Sequence, residues 1–163
     1  MLVEKIKIID ADKILEAYQN LEQGIQWTSS GHKGDQVGIQ YREGEDPWKS
    51  AVGKHTGADE RQYSLLNPYF KDTIFEEIIK EYKLYRTRLM WVSPFCCYSM
   101  HVDATKRLHI PLITNPDCYF IFKQGTLEHL EKNGVYTVDT RKLHTFMNCS
   151  DQRRLHLVGI SVD

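Results

Sequence analysis

The opening LVEKIKII alternates apolar and polar positions and predicts a strand. Asp10 or Asp12 then stands where a helix cap is needed. Ile14, Leu15, Tyr18 and Leu21 recur at helical spacing behind it, so a helix follows and Gly24 closes it. From Ser29 to Arg61 the pattern dissolves. Glycines at 31, 34, 38, 44, 53 and 57 lie among many charges, with only short strand-like pieces such as VGIQY, which predicts long loops with a hairpin. Helical spacing returns after Asn67-Pro68, where proline suits a first helical position, and carries Ile74, Phe75, Ile78, Ile79 and Tyr82. Thr73 and Glu76 supply a capping box if that helix starts later.

From Tyr85 onward helical spacing disappears. The runs RLMWV, CCYSMHVD, RLHIPLIT, CYFIF, GVYTV, KLHTFMN and RLHLVGISV are rich in β-branched and aromatic residues and are separated by turn signals. Seven or eight short strands at such spacing predict a β-sandwich or barrel, and the expected architecture is mainly β with flanking helices: helices packed on a C-terminal jelly roll. One domain, residues 1–163, accommodates both parts, with helices and loops over 1–85 and the jelly-roll core over 86–163.

Composition narrows the function classes. Lys plus Arg is 21 and Asp plus Glu is 22, so a net charge of -1 provides no overall field for nucleic acid or an anionic membrane. No leader-like or membrane-spanning run is visible, and a cytoplasmic location is expected. Oligomeric state is not legible. Cys96 and Cys97 are adjacent while Cys118 and Cys149 stand apart, so no C-x-x-C pair exists; four reduced, small buried residues are expected. AVGKHTG fails as a phosphate loop, because Trp48 stands where the first glycine belongs and His55 where Ser or Thr must follow Lys54.

Candidate chemistry concentrates in CCYSMHVD. Strand alternation places His101 and Asp103 on one face, an imidazole beside a carboxylate. His144, at the centre of KLHTFMN, is the natural third ligand, and two histidines with one carboxylate leave open positions on an octahedral metal. Arg154, ten residues beyond His144, is suited to hold a carboxylate bidentately, and Arg107 and His109 share one face of the next strand. Polar groups in otherwise apolar strands are costly to bury without partners, which points to function.

The segments HVDATKRLHIPL, GVYTVDTRKLHTFMN and RRLHLVGISVD resemble the aspartyl/asparaginyl β-hydroxylase-like branch of the Fe(II)- and 2-oxoglutarate-dependent oxygenases, over the C-terminal half from about Arg88. The resemblance implies a double-stranded β-helix, the cupin-like form of the jelly roll. It implies that His101, Asp103 and His144 hold Fe(II), that Arg154 binds the distal carboxylate of 2-oxoglutarate, and that Arg107 and His109 contact the carboxylate beside the keto group. With O2 as the other cosubstrate, the implied activity is hydroxylation of an amino-acid side chain in a protein or peptide, or of a free amino acid. Two departures stand out: Asp103 is present where the animal β-hydroxylases have lost the acidic ligand, and Met90 stands where those enzymes carry a cosubstrate-binding serine.

Other residues have plainer expectations. His156 shares a strand face with Arg154 and serves either beside the iron or as a core histidine; Arg153 points the other way, to a solvated or ion-paired surface. His129 is expected to be exposed, and His32 and His55 to be loop residues. Trp48, with Tyr41 and Arg42, is a candidate for an exposed substrate-recognising lid. Two competing functions remain. A cupin-type metal enzyme without 2-oxoglutarate is disfavoured by Arg154, and a catalytically silent jelly-roll binding protein by the intact His101, Asp103 and His144.

Overall fold

The computed structural model describes residues 1–54 and 57–161; His55 lies outside them. Its strands are β1 (Val3–Ile8), β2 (Thr28–Ser29), β3 (Asp35–Gly38), β4 (Gln40–Tyr41), β5 (Leu65–Leu66), β6 (Leu84–Val92), β7 (Cys96–Cys97), β8 (Arg107–Ile113), β9 (Cys118–Phe122), β10 (Leu127–Glu128), β11 (Gly134–Val138), β12 (His144–Asn148) and β13 (Arg154–Ser161). Two α-helices, α1 (Ala11–Leu21) and α2 (Ile74–Tyr82), accompany them. A seven-stranded sheet runs β1-β11-β8-β13-β6-β3-β2, a four-stranded sheet runs β10-β9-β12-β7, and β4 pairs with β5. Every pairing is antiparallel, as the jelly roll requires.

Strand alternation divides the interior in two. Leu89 and Trp91 of β6, Leu108, Ile110 and Leu112 of β8, and Leu155 and Leu157 of β13 face one way and meet Ile14 and Tyr18 of α1 and Phe75 and Ile78 of α2. The opposite face of the same strands turns toward Phe120, Phe122 and Phe146 of the smaller sheet. Each fully buried large side chain of either layer contributes about 1.5–3 kcal/mol relative to exposure.

The helices start where their caps dictate. Asp10 Oδ1 accepts from the Asp12 amide (3.1 Å), which fixes the start of α1. Pro68 opens a separate one-turn 3₁₀ helix, Pro68–Phe70, and α2 begins only after Thr73 because Asp72 takes a left-handed φ of 59°. The capping box is not made. Thr73 Oγ1 donates to the Phe70 carbonyl (2.6 Å), and Glu76 accepts from the Asp72 amide (2.7 Å).

A bulge in β6 decides what the sheet shows to its inner face. Across Gly159, β6 contributes two residues, Arg86 and Thr87, where β13 contributes one, and Arg86 takes φ 49°. Leu84 therefore shares the helix-facing side with Thr87, Leu89 and Trp91, while Arg86, Arg88 and Met90 face inward. The Gln40 amide satisfies the opened ladder: Oε1 accepts from the Thr87 amide (3.1 Å) and hydroxyl (2.7 Å), and Nε2 donates to the Leu84 carbonyl (2.8 Å).

Several expectations change. The division at residue 85 is not sharp, since β1, β2 and β3 belong to the main sheet. Trp48 is no lid; it packs on Tyr69 and Phe70, with ring centroids 5.2 and 6.0 Å away, because its loop folds back onto the helix-facing core. Cys96 and Cys118 are buried, but Cys97 and Cys149 are exposed; all four are free. His129 is half-buried, with Nδ1 2.9 Å from the Cys118 carbonyl oxygen. Arg153 is on the surface as expected, stacked 4.3 Å over Trp91 and paired with Asp35 at 3.2 Å. Among the described residues no helix is long and apolar enough to cross a membrane.

Candidate active site

CCYSMHVD is not one continuous strand. After β7 it leaves the sheet and returns at one point, where His101 and His144 exchange backbone hydrogen bonds (2.9 and 3.0 Å). Two residues later the Asp103 amide donates to the Thr140 carbonyl (2.9 Å). These contacts bring the three sequence-predicted ligands together: a donor atom from each of His101, Asp103 and His144 lies within 4.8 Å of the others.

The donor set fits a metal such as Fe(II). His101 Nδ1 lies 2.7 Å from the Ser99 carbonyl oxygen, and His144 Nδ1 lies 2.9 Å from that of Lys142. Each Nδ1 thus carries its proton toward a carbonyl, which leaves Nε2 of both rings with a free lone pair. Asp103 Oδ2 is 4.0 Å from His144 Nε2, close enough to share one ion, while Oδ1 is 3.3 Å from Arg107 Nη2. Burial lowers the His144 pKa, partly opposed by the Lys142 carbonyl, so the ring is held in the neutral form that a metal needs.

The three ligands sit at the edge of a cavity of about 620 Å³ between the two sheets. Its floor can be read from the register. Arg154 pairs with Val92, His156 lies between Met90 and Pro111, and Val158 lies between Arg88 and His109. Arg154 is buried beside the Phe146 ring, 3.7 Å from its centroid, and its Nε has no partner. Burial pushes its pKa down to about 9, against the pull of Tyr98 and Cys118, and at neutral pH the cation persists. His109 stacks edge-on against Phe120, and His156 packs edge-on against Phe146 and meets His109, with the two Nδ1 atoms 3.4 Å apart. His156 is therefore a core histidine that supports His109.

Sequence reasoning missed Glu60, the best-connected charge in the site. Its carboxylate, on a residue 3% exposed, accepts from Arg107 Nη1 (2.8 and 2.9 Å), Arg86 Nη1 (2.8 Å) and the Thr105 hydroxyl (2.9 Å). Burial alone would raise the Glu60 pKa, but attraction to Arg107 and hydrogen bonds from Arg107, Arg86 and Thr105 outweigh it and hold the carboxyl at about 2. Arg107, expected at the cosubstrate, lines the cavity and is clasped between Glu60 and Asp103. Arg88 was also missed. A strand read back to Leu84 would have put it beside Arg86 on one face, whereas Glu60 comes from a segment without periodicity.

These environments set an acid sensitivity. Burial first, and then nearby cations including Arg154, push His109 and His156 well below 6.5. Both stay neutral when folded, while the unfolded chain takes up protons as the pH falls through 6.5, so their contribution is complete above that value and lost below it. In metal-free protein the urea midpoint is expected to drop between about pH 7.5 and about pH 5.5, and the drop to shrink in His156→Leu. Glu60 adds nothing in that window, since its carboxyl is ionised in both states until the pH nears 4.5.

Comparison with known proteins follows the same lines. The family model for Aspartyl/Asparaginyl beta-hydroxylase matches residues 7–160. No curated protein matches the chain. Among solved structures, a 2OG-Fe(II) oxygenase family oxidoreductase from Burkholderia pseudomallei superposes with a TM-score of 0.60 at 14% identity, covering 98% of this chain and 83% of the other. The viral collagen prolyl hydroxylase of Paramecium Bursaria Chlorella virus-1, in complex with 2OG, gives 0.57 at 12% identity over 99% and 97%. A prolyl-4-hydroxylase from Pseudomonas putida gives 0.52 at 11% over 99% and 94%. At these identities the likeness is one of fold.

Proposed function

The chain belongs to the aspartyl/asparaginyl β-hydroxylase family, and on that footing we propose that it is an Fe(II)- and 2-oxoglutarate-dependent dioxygenase. It acts on an amino-acid side chain in a protein or peptide, or on a free amino acid, and residues 1–163 work as one oxygenase domain. The acid and amide side chains in the family's description are the first substrates to test. The four free thiols are in keeping with a cytoplasmic location.

One observation supports this reading above the others: the three metal donors converge at one edge of a cavity that also holds the buried guanidinium of Arg154, whose Nε has no hydrogen-bond partner among the described residues. When bound, iron and 2-oxoglutarate together supply the oxidising power that moves one oxygen atom of O2 into a C–H bond and releases succinate and CO2. The chain supplies the rest. His101 and His144 would offer Nε2 and Asp103 would offer Oδ2 to the metal, while Arg107, held by Glu60, engages Asp103 Oδ1. Arg154 receives the distal carboxylate bidentately, and His109 receives the carboxylate beside the keto group. Phe120, Phe122 and Phe146 line the smaller sheet's inner face and keep water from the reacting centre.

Anaerobic addition of Fe(II) and then 2-oxoglutarate tests the reading. The visible charge-transfer band of the chelate is expected with wild type, absent with His101→Ala, and reached only at higher cosubstrate concentration with Arg154→Ala. A folded, iron-loaded wild type without the band would overturn the function.

A further inference from the structure

Four guanidinium groups are buried in or beside the cavity, those of Arg86, Arg88, Arg107 and Arg154. Three have an assigned anion: Glu60 serves Arg86 and Arg107, and Arg154 awaits the distal carboxylate of the cosubstrate. Arg88 has none. It is 7% exposed, its Nη1 reaches only the neutral Gln36 Oε1 at 3.3 Å, and its Nε is buried without a partner. Burial, with Arg86 and Arg107 nearby, lowers its pKa to about 9 against the weaker pull of the more distant Asp103 and Glu60.

The charge count stays unbalanced when the site is filled. A divalent ion with Asp103 and a dianionic cosubstrate carries one negative charge, and Glu60 adds a second. Four guanidiniums stand against them, so these buried groups remain positive by two, and Lys33 and Lys54, less buried, also line the cavity. Position points the same way. Arg88 pairs with Val158 and Arg154 with Val92, four residues further along β6, which at strand rise is roughly 13 Å. Arg88 also stands on the side of the floor that opens toward Gln36 and Gly53, away from His109 on β8.

We propose that Arg88 anchors a carboxylate of the substrate that is hydroxylated, so that the cavity takes an acidic side chain and rejects the corresponding amide. The proposal rests on the oxygenase reading and narrows its substrate class. Nε and the adjacent Nη form the edge of a guanidinium that grips a carboxylate with two parallel hydrogen bonds, and in Arg88 only Nη1 is engaged. An amide would leave the charge uncompensated and turn a donor toward a donor.

The test uses full-length protein loaded with Zn(II), which binds but does not turn over, and saturated with 2-oxoglutarate. N-acetylated, C-amidated aspartate and its asparagine counterpart are titrated in by calorimetry. Wild type is expected to bind the acid more tightly than the amide by about tenfold or more. Arg88→Met is expected to lose that preference, to bind 2-oxoglutarate as wild type does, and to unfold at a higher temperature than wild type without ligands, because an uncompensated buried charge has been removed. Equal binding of acid and amide by wild type, or binding of neither, overturns the proposal, as does a preference that survives Arg88→Met or a lowered melting temperature in that variant. Loss of 2-oxoglutarate affinity in Arg88→Met overturns it too, since Arg88 would then serve the cosubstrate. If wild type itself fails to bind 2-oxoglutarate, it is the oxygenase reading that falls.

Discussion

A Glu60→Ala variant is expected to lose about 3–5 kcal/mol of stability, the cost of breaking a buried ion pair by removing one partner. Glu60 is the only carboxylate among the described residues that contacts both Arg86 and Arg107 at hydrogen-bond distance, and all three side chains are at most 5% exposed. Without it two guanidiniums face each other across a dry gap. Urea denaturation of metal-free protein measures the loss, and an unchanged midpoint would show that neither cation depends on the carboxylate. Glu60→Gln keeps the shape and part of the hydrogen bonding but not the charge, so an intermediate loss is expected. Metal affinity should fall as well, by about 10–100-fold, because Arg107 released from Glu60 no longer fixes Asp103.

Asp103→Ala is expected to do the reverse. It removes a ligand outright, so Mn(II) or Fe(II) affinity measured by calorimetry should fall by more than about 100-fold, beyond what loss of a supporting partner costs. Unfolding of the metal-free variant should stay close to wild type, since the Asp103 side chain is 24% exposed and Arg107 keeps Glu60. A collapse of metal-free stability would make Asp103 a structural residue and leave the cluster without its acidic ligand. The two carboxylates grip opposite ends of one guanidinium: the buried one is expected to hold the fold, and the half-exposed one, on the proposed reading, to hold the ion.

The residues that were legible in the sequence share a property. Arg107, His109, His144 and Arg154 each sit in a strand whose alternation is clear, so their inward side follows from counting by two, whereas His101 and Asp103 lie beyond β7 and are placed by backbone bonds to His144 and Thr140. The helices were legible for the same reason, through Ile14 and Tyr18 and through Phe75 and Ile78. Glu60 was not. It lies in a one-turn helix, Glu60–Gln62, in a stretch without period, and its place is set by tertiary contacts with Arg86 and Arg107. Trp48 misled for a related reason: charged neighbours suggested exposure, while aromatic partners more than twenty residues away, Tyr69 and Phe70, decided its packing. The capping box of α2 failed because the left-handed Asp72 turns the chain one residue early, so Glu76 captures the Asp72 amide.

The bulge at Arg86 makes chain length itself part of the binding site. A strand of the same residues without the bulge would alternate strictly and set Leu84 on the side of Arg86, Arg88 and Met90, away from the helices. Gly159 gives the crowded strand room, since a Cβ there would lie 3.0 Å from Thr87 Oγ1. Because Arg86 and Thr87 together oppose one residue, deleting Arg86 would restore regular alternation, keep Leu84 and Thr87 against the helices and Arg88 and Met90 toward the cavity, and remove one of the two cations that Glu60 holds.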